Sequence, residues 1–141
     1  MSIPKSLQLR FVTPERELAH QDVDEVGLPG EDGDFGVLPG HAPLLAALRP
    51  GGMWYRRGTD RKIAFVDGGF AEVLPDRVTV LAPVAEHAED IDRARAEAAK
   101  RRAEELLAKP TVTEIDFERA RIALLRAISR LDVMKNIPRR G

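Results

Sequence analysis

The sequence predicts an all-β first half, a sandwich or flattened barrel, followed by an α-helical hairpin. Three observations predict it. Ten of the eleven glycines lie between Gly27 and Gly69, and eight of the ten prolines fall at or before Pro83. Beyond Pro83 the chain holds eleven alanines with dense Glu, Arg and Lys. Short segments of period-two alternation occur only in the first part. A Gly- and Pro-punctuated stretch that gives way to Ala, Glu and Arg is a change of secondary-structure class. The boundary falls near Pro83–Ala88, giving a β-domain over 1–86 and a two-helix domain over 87–141.

Leu7-Gln8-Leu9-Arg10-Phe11-Val12 alternates apolar and polar, which is the signature of a half-buried strand. Val23 to Leu28 and Arg61 to Val66 are further strand candidates. Val73 to Val80 reads as a hairpin around Pro75-Asp76. Pro29-Gly30, Asp32-Gly33, Pro39-Gly40, Pro50-Gly51-Gly52 and Asp67-Gly68-Gly69 are the turn signals between segments. Strands at this spacing suit two packed sheets better than alternating βαβ units.

Asp90 is the expected N-cap of a first helix that runs to about Ala108 and ends before Pro110. Thr113 with Asp116 three residues on resembles a capping box, opening a second helix to about Lys135. Ala96, Ala99, Ala103 and Leu106 make a narrow stripe on the first helix. Phe117, Ala120, Leu124, Ile128 and Leu131 recur at helical spacing on the second. Small residues facing aliphatic ones let antiparallel helices approach closely, so the pair predicts a hairpin. A hairpin buries little area, and most of its stability must come from docking elsewhere.

The totals exclude several classes. A formal net charge of −1 leaves no broad electrostatic footprint for nucleic acid or an anionic bilayer. With no cysteine there is no disulfide framework, thiolate metal site or thiol nucleophile. No apolar run approaches the roughly 20 residues that cross a bilayer. Met1 to Leu9 lacks a secretory pattern. The expectation is a cytosolic chain whose only membrane association runs through a partner.

No catalytic constellation emerges. Gly30-Glu31-Asp32-Gly33-Asp34-Phe35-Gly36 has spaced glycines but no helix opening after it, so it reads as a turn between strands. His20, His41 and His87 lack metal-site spacing, and no serine sits in a nucleophile elbow. An enzyme with His41 as general base has no visible nucleophile or orienting partner.

The helical charges are more informative. At about 100° per residue, Asp92, Arg95, Ala96, Ala99 and Arg102 share an arc of roughly 120°. Arg119, Arg126 and Arg130 share one face of the second helix. Folded together, these faces enclose a pocket of guanidinium groups over an alanine floor. Guanidinium forks suit phosphate, small side chains admit a flat ring, and a carboxylate accepts from a hydroxyl or an amine. The alternative is a solvated face with ion pairs such as Glu97–Arg101 and Glu105–Lys109.

The run Leu28-Pro29-Gly30-Glu31-Asp32-Gly33-Asp34-Phe35-Gly36-Val37-Leu38-Pro39-Gly40-His41-Ala42-Pro43-Leu44 resembles the signature of the epsilon subunit family of rotary F-type ATP synthases. So does Asp67-Gly68-Gly69-Phe70-Ala71-Glu72-Val73, followed by Val78-Thr79-Val80-Leu81-Ala82. The resemblance covers essentially the whole chain.

It implies a ten-stranded β-sandwich followed by two α-helices, and a non-catalytic subunit of the bacterial synthase. Its partners would be the gamma subunit, the c-ring and the catalytic alpha and beta subunits. The implied place is the cytoplasmic face of the inner membrane, held peripherally through the complex. The resemblance points to Asp34 and His41, with Glu31 and Asp32 beside them, as c-ring contacts; structural turn roles remain open for all four. It also implies that the helices can extend along gamma and restrain ATP hydrolysis. Arg119, Arg121, Arg126, Arg130 and Lys135 are then the positions for an acidic surface of a beta subunit.

Some members bind regulatory ATP through an Ile/Leu-Asp-x-x-Arg-Ala motif, which Ile91-Asp92-Arg93-Ala94-Arg95-Ala96 matches. The supporting positions are Glu86, Arg102, Arg126 and Arg130. No cofactor is required; ATP would be a regulatory ligand that is not hydrolysed here. A free-standing nucleotide-sensing module, sharing the pocket but needing no gamma surface, is the competing reading.

Overall fold

The computed structural model describes residues 2–137; Met1 and residues 138–141, at the outer ends of the two expected domains, lie outside the described residues. The strands are β1 (Leu7–Val12), β2 (Glu17–Val23), β3 (Glu25–Gly30), β4 (Gly33–Val37), β5 (Leu44–Ala47), β6 (Pro50–Arg57), β7 (Asp60–Asp67), β8 (Phe70–Leu74), β9 (Arg77–Leu81) and β10 (Ala85–His87). A 3₁₀ turn over Ala88–Asp90 leads into α1 (Arg93–Leu107) and α2 (Glu114–Lys135).

The strands form two five-stranded sheets, ordered β2-β1-β9-β8-β5 and β10-β7-β6-β3-β4. All pairs are antiparallel except β1 with β9. Alternation decides which side chains face inward. Leu7, Leu9 and Phe11 of β1 are fully buried and meet Val26, Leu28, Met53, Tyr55, Ala64 and Val66 of the other sheet in one core.

The second sheet is covered on both faces. Its outer side carries Ile63 and Phe65, which pack with Ala88, Ile91 and Val133, flanked by Trp54 and Met134. This explains why Ile63-Ala64-Phe65-Val66 is an unbroken apolar run: a strand buried on both faces loses its alternation. The hairpin is therefore seated on one sheet, and the outer face of the other sheet stays uncovered.

Several expectations need correction. Val23 to Leu28 is not one strand; the chain leaves the first sheet at Val23 and enters the second at Glu25. Asp24 turns the corner, where its amide donates to Arg56 O and its carboxylate accepts from Gly58 N. Pro29-Gly30 lies within β3, and the turn itself is Glu31-Asp32, closed by Gly33 at φ +136°. Pro50-Gly51-Gly52 lies inside β6. Its glycines serve close approach: a Cβ on Gly52 would sit 3.0 Å from Val133 of α2.

Asp92, not Asp90, caps α1, its Oδ1 accepting from Arg95 N at 3.1 Å. Asp90 is taken up by the 3₁₀ turn. Thr113 caps α2 as its pattern predicts, Oγ1 accepting from Asp116 N. The helix seam uses small residues from both sides: Ala96 and Ala103 are buried on α1, and Ala120 and Ala127 on α2. Phe117 and Ile128, expected in the seam, are 41% and 37% exposed. Alanine against alanine brings the axes close, leaving large side chains to flank the contact. Neither Glu97–Arg101 nor Glu105–Lys109 is among the ion pairs of the described residues; Arg121–Glu118 is, at 3.1 Å.

Candidate functional site

Three elements converge where the hairpin meets the sandwich. β10 brings Glu86, the capped start of α1 brings Ile91 and Asp92, and α2 crosses over β7. They enclose a cavity of about 440 Å³ lined by Glu86, Ile91, Asp92, Arg95, Ala96, Ala99, Arg102, Ala123, Arg126, Ala127 and Arg130. All eight residues expected to hold a nucleotide line it. Ala99, Ala123 and Ala127 complete the floor. Arg119, assigned to the same face by helical geometry, does not line the cavity; it is exposed nearer the N-terminal end of α2.

Four guanidinium groups face two lining carboxylates. Two of the four are already engaged. Arg130 Nε donates to Glu86 Oε1 at 3.0 Å, and its guanidinium carbon lies 4.4 Å from the Phe65 ring centroid. Arg126 Nε lies 3.0 Å and 2.9 Å from the two carboxylate oxygens of Asp67. Arg95 and Arg102 make no ion pair among the described residues. An excess of clustered positive charge with unused N–H donors is chemically suited to a polyanion. The volume is within the range of small-molecule sites, about 300–1,000 Å³.

Sequence reasoning missed two participants. From the sequence Asp67 reads as a turn residue and as the start of a family-resembling run, and Phe65 as a strand residue; neither reading points to the cavity. Each belongs to β7, and its relation to α2 exists only once the hairpin has docked. The sole signal was an acid at the end of an apolar strand.

Behind the cavity, the Tyr55 hydroxyl and His87 Nε2 are in hydrogen-bond contact at 2.9 Å. Burial pushes the Tyr55 phenol up to about 12, with Glu89 and Asp60 adding to the effect. Burial also holds the His87 imidazole below its ordinary value, partly offset by Glu89. The pair joins the sandwich core to the strand that carries Glu86.

The residues expected at the c-ring do not come together in one place. Glu31 and Asp32 form the β3–β4 turn, where Glu31 N donates to Ala47 O. Asp34 is paired with Arg49, which also donates to Gly30 O, so it braces that turn. His41 lies beyond the far end of β4, where Gly40 N donates to Pro75 O and His41 Nδ1 donates to Ala42 O at 2.7 Å. The length of β4, roughly 15 Å at about 3.3 Å per residue, separates the two groups. Of the remaining expected contacts, Arg121 pairs with Glu118, and Lys135 borders a groove with Arg93 and Leu131.

On the uncovered face of the first sheet, the register aligns Ala47, Phe70, Leu81 and Val12 across four strands. Phe70 is 56% exposed and Leu81 54%. Leu45 projects beside them, also exposed. The row ends near the acidic turn, through the Glu31–Ala47 hydrogen bond.

Comparison with known proteins places both halves. Residues 6–88 match the family described as ATP synthase, Delta/Epsilon chain, beta-sandwich domain. Residues 89–135 match ATP synthase, Delta/Epsilon chain, long alpha-helix domain. An ATP synthase epsilon chain of Syntrophobacter fumaroxidans is 48% identical over 129 residues, covering 92% of this chain and 96% of that one. One from Nitratidesulfovibrio vulgaris is 49% identical over 132 residues, covering 94% and 98%. In a cryo-EM structure of Euglena gracilis mitochondrial ATP synthase, OSCP/F1/c-ring, one chain superposes with a TM-score of 0.84 at 24% identity. The match covers 94% of this chain and 82% of that one, a likeness of fold.

Proposed function

The chain belongs to the family of ATP synthase epsilon chains, and from that premise we propose that its hairpin is an ATP-sensing brake on the synthase. The chain itself is a non-catalytic subunit of the central stalk. The observation that carries the proposal is the arginine-lined cavity between α1, α2 and β10.

ATP in this cavity touches both helices and the sandwich at once. Arg95, Arg102, Arg126 and Arg130 take the phosphates, the alanine floor takes the base, and Glu86 and Asp92 accept from hydroxyl or amine groups. A ligand that bridges the elements binds only the compact hairpin, and that differential affinity shifts the equilibrium toward it. When ATP is scarce, the helices leave the sandwich, extend along gamma and obstruct rotation in the hydrolytic direction. Arg119, Arg121, Arg126, Arg130 and Lys135 then meet an acidic surface of a catalytic beta subunit. Arg126 and Arg130 must first leave Asp67 and Glu86, so the two states exclude each other. ATP here is a regulatory ligand and is not hydrolysed.

The β-domain is the fixed part. Its uncovered face, with Phe70, Leu81 and Leu45, is assigned to gamma. The turn at Glu31 and Asp32, beside the same row, is assigned to the c-ring, with Asp34 bracing it. His41, at the other end of β4, is assigned to the same rotor contact only if the c-ring reaches both ends. No helix among the described residues is long and apolar enough to cross a membrane. The chain is placed peripherally on the cytoplasmic face of the bacterial inner membrane through the synthase. A free-standing sensor would have no use for the apolar row.

Calorimetric titration of the chain with ATP, with and without magnesium, tests the brake. Saturable one-to-one binding, weakened but still measurable in Arg126→Ala while the β-domain stays folded, is the expected result. Unchanged affinity in that variant removes the cavity from the account.

A further inference from the structure

Asp67 lies outside the cavity lining, yet it holds one of the arginines that form it. Its two carboxylate oxygens sit 3.0 and 2.9 Å from Arg126 Nε. The Asp67 side chain is only 13% exposed, against 46% for Arg126. Asp67 ends β7, and its amide donates to Val84 O, so its backbone is fixed from the β10 side of the sheet. Arg126 stands on α2 of the hairpin; Asp67 stands on β7 of the sandwich.

We propose that Asp67 is a positioning residue for the ATP site, fixing Arg126 by its Nε so that both Nη groups remain available to phosphate. This rests on the reading of the cavity as an ATP site. Neither Nη of Arg126 makes a hydrogen bond among the described residues. An arginine held by Nε keeps its planar fork in one orientation, so less rotamer freedom is lost when the fork closes on an anion. The same contact ties α2 to β7. The apparent affinity of a ligand that needs the docked hairpin rises with the docked fraction. Both effects run through the hydrogen bond rather than through the negative charge, which by itself repels phosphate.

That distinction makes the test sharp. Asp67→Ala removes the acceptor and the charge; Asp67→Asn removes the charge and keeps an acceptor. ATP affinity, read by calorimetry on the full chain, should fall about tenfold in Asp67→Ala, as expected for losing a charge-assisted hydrogen bond. Asp67→Asn should stay within about threefold of the parent chain. In an Arg126→Ala background, Asp67→Ala should weaken binding no further, because the two residues act as one unit. Equal losses in the Ala and Asn variants, tighter binding in Asp67→Ala, or additive effects with Arg126→Ala each overturn the proposal.

If ATP does not bind the parent chain, the cavity reading fails, and the tie is read without ligand. Amide exchange along α2 should then be faster in Asp67→Ala than in the parent and in Asp67→Asn. Equal exchange in all three overturns the proposal on its own terms.

Discussion

Arg130 covers Phe65, its guanidinium carbon 4.4 Å from the ring centroid, while its Nε donates to Glu86 at 3.0 Å. One side chain of α2 thus touches β7 through a ring face and β10 through a carboxylate. Lysine can reach a carboxylate, but it offers no planar fork to lay on a ring and share with phosphate. Arg130→Lys should therefore weaken ATP binding by about five- to tenfold while leaving the melting of the sandwich in place. Calorimetry and thermal unfolding read the two separately. Parent-like affinity in the lysine variant would mean that Arg130 contributes only its charge.

Gly27 provides the room in which the single tryptophan lies. A Cβ at Gly27 would overlap the Trp54 indole at Nε1 and Cε2. Trp54 flanks the cluster that seats α2, beside Met134 and Val133, and Arg61 lies 4.5 Å from its ring centroid. Gly27→Ala should push the indole outward and cost about 2 kcal/mol, the usual scale of overpacking. Because Trp54 is the only tryptophan, its emission reports the move directly as a red shift. An unshifted spectrum with parent stability would show that the sheet yields instead of the ring.

His87 makes the junction sensitive to acid. Burial lowers its folded-state value below that of the unfolded chain, about 6.5. Above that pH both states are neutral and the group contributes nothing. As pH falls through about 6.5, the unfolded chain takes up the proton first, so stability drops until the folded imidazole is also protonated. Glu89 and Asp90 oppose the lowering, and Lys62 and Arg16 reinforce it. The chemical-denaturation midpoint should decline between about pH 7.5 and pH 5.5, and the decline should be smaller in His87→Gln. The same slope in both chains would assign the acid sensitivity elsewhere.

Much of this architecture was legible because local chemistry and global fold agree. The Thr113 cap and the alternation of Leu7, Leu9 and Phe11 act over a few residues, and each holds in the structure. Part of the cavity was also legible: helical spacing alone puts Asp92, Arg95 and Arg102 on one face, whereas Glu86 and Ile91 are implied only by the family resemblance. The misreadings share one cause. Gly52 reads as a turn residue because closeness to Val133, more than eighty residues away, leaves no local trace. Size suggests burial of Phe117 and Ile128 in the seam, whereas alanines govern how near two helices come. Asp67 was invisible for the same reason as Gly52: its partner is on another domain.

The uncovered sheet face carries the last prediction. Phe70 and Leu81 are exposed in the row they share with the half-buried Ala47 and Val12, and nothing in the fold requires an aromatic side chain there. Phe70→Asp should cost the sandwich only about 1 kcal/mol, the span of strand preferences at an exposed position. At an interface the same change removes an aromatic anchor and buries a charge without a partner, a loss of about 2–4 kcal/mol or more. Co-purification with gamma should therefore fall sharply in Phe70→Asp and in Leu81→Asp, while both isolated chains melt near the parent temperature. A His41→Asp variant separates the two ends of β4, since His41 sits near Pro75 and away from the row. If Phe70→Asp assembles normally and His41→Asp does not, gamma grips the Pro75 end, and the apolar row faces something else.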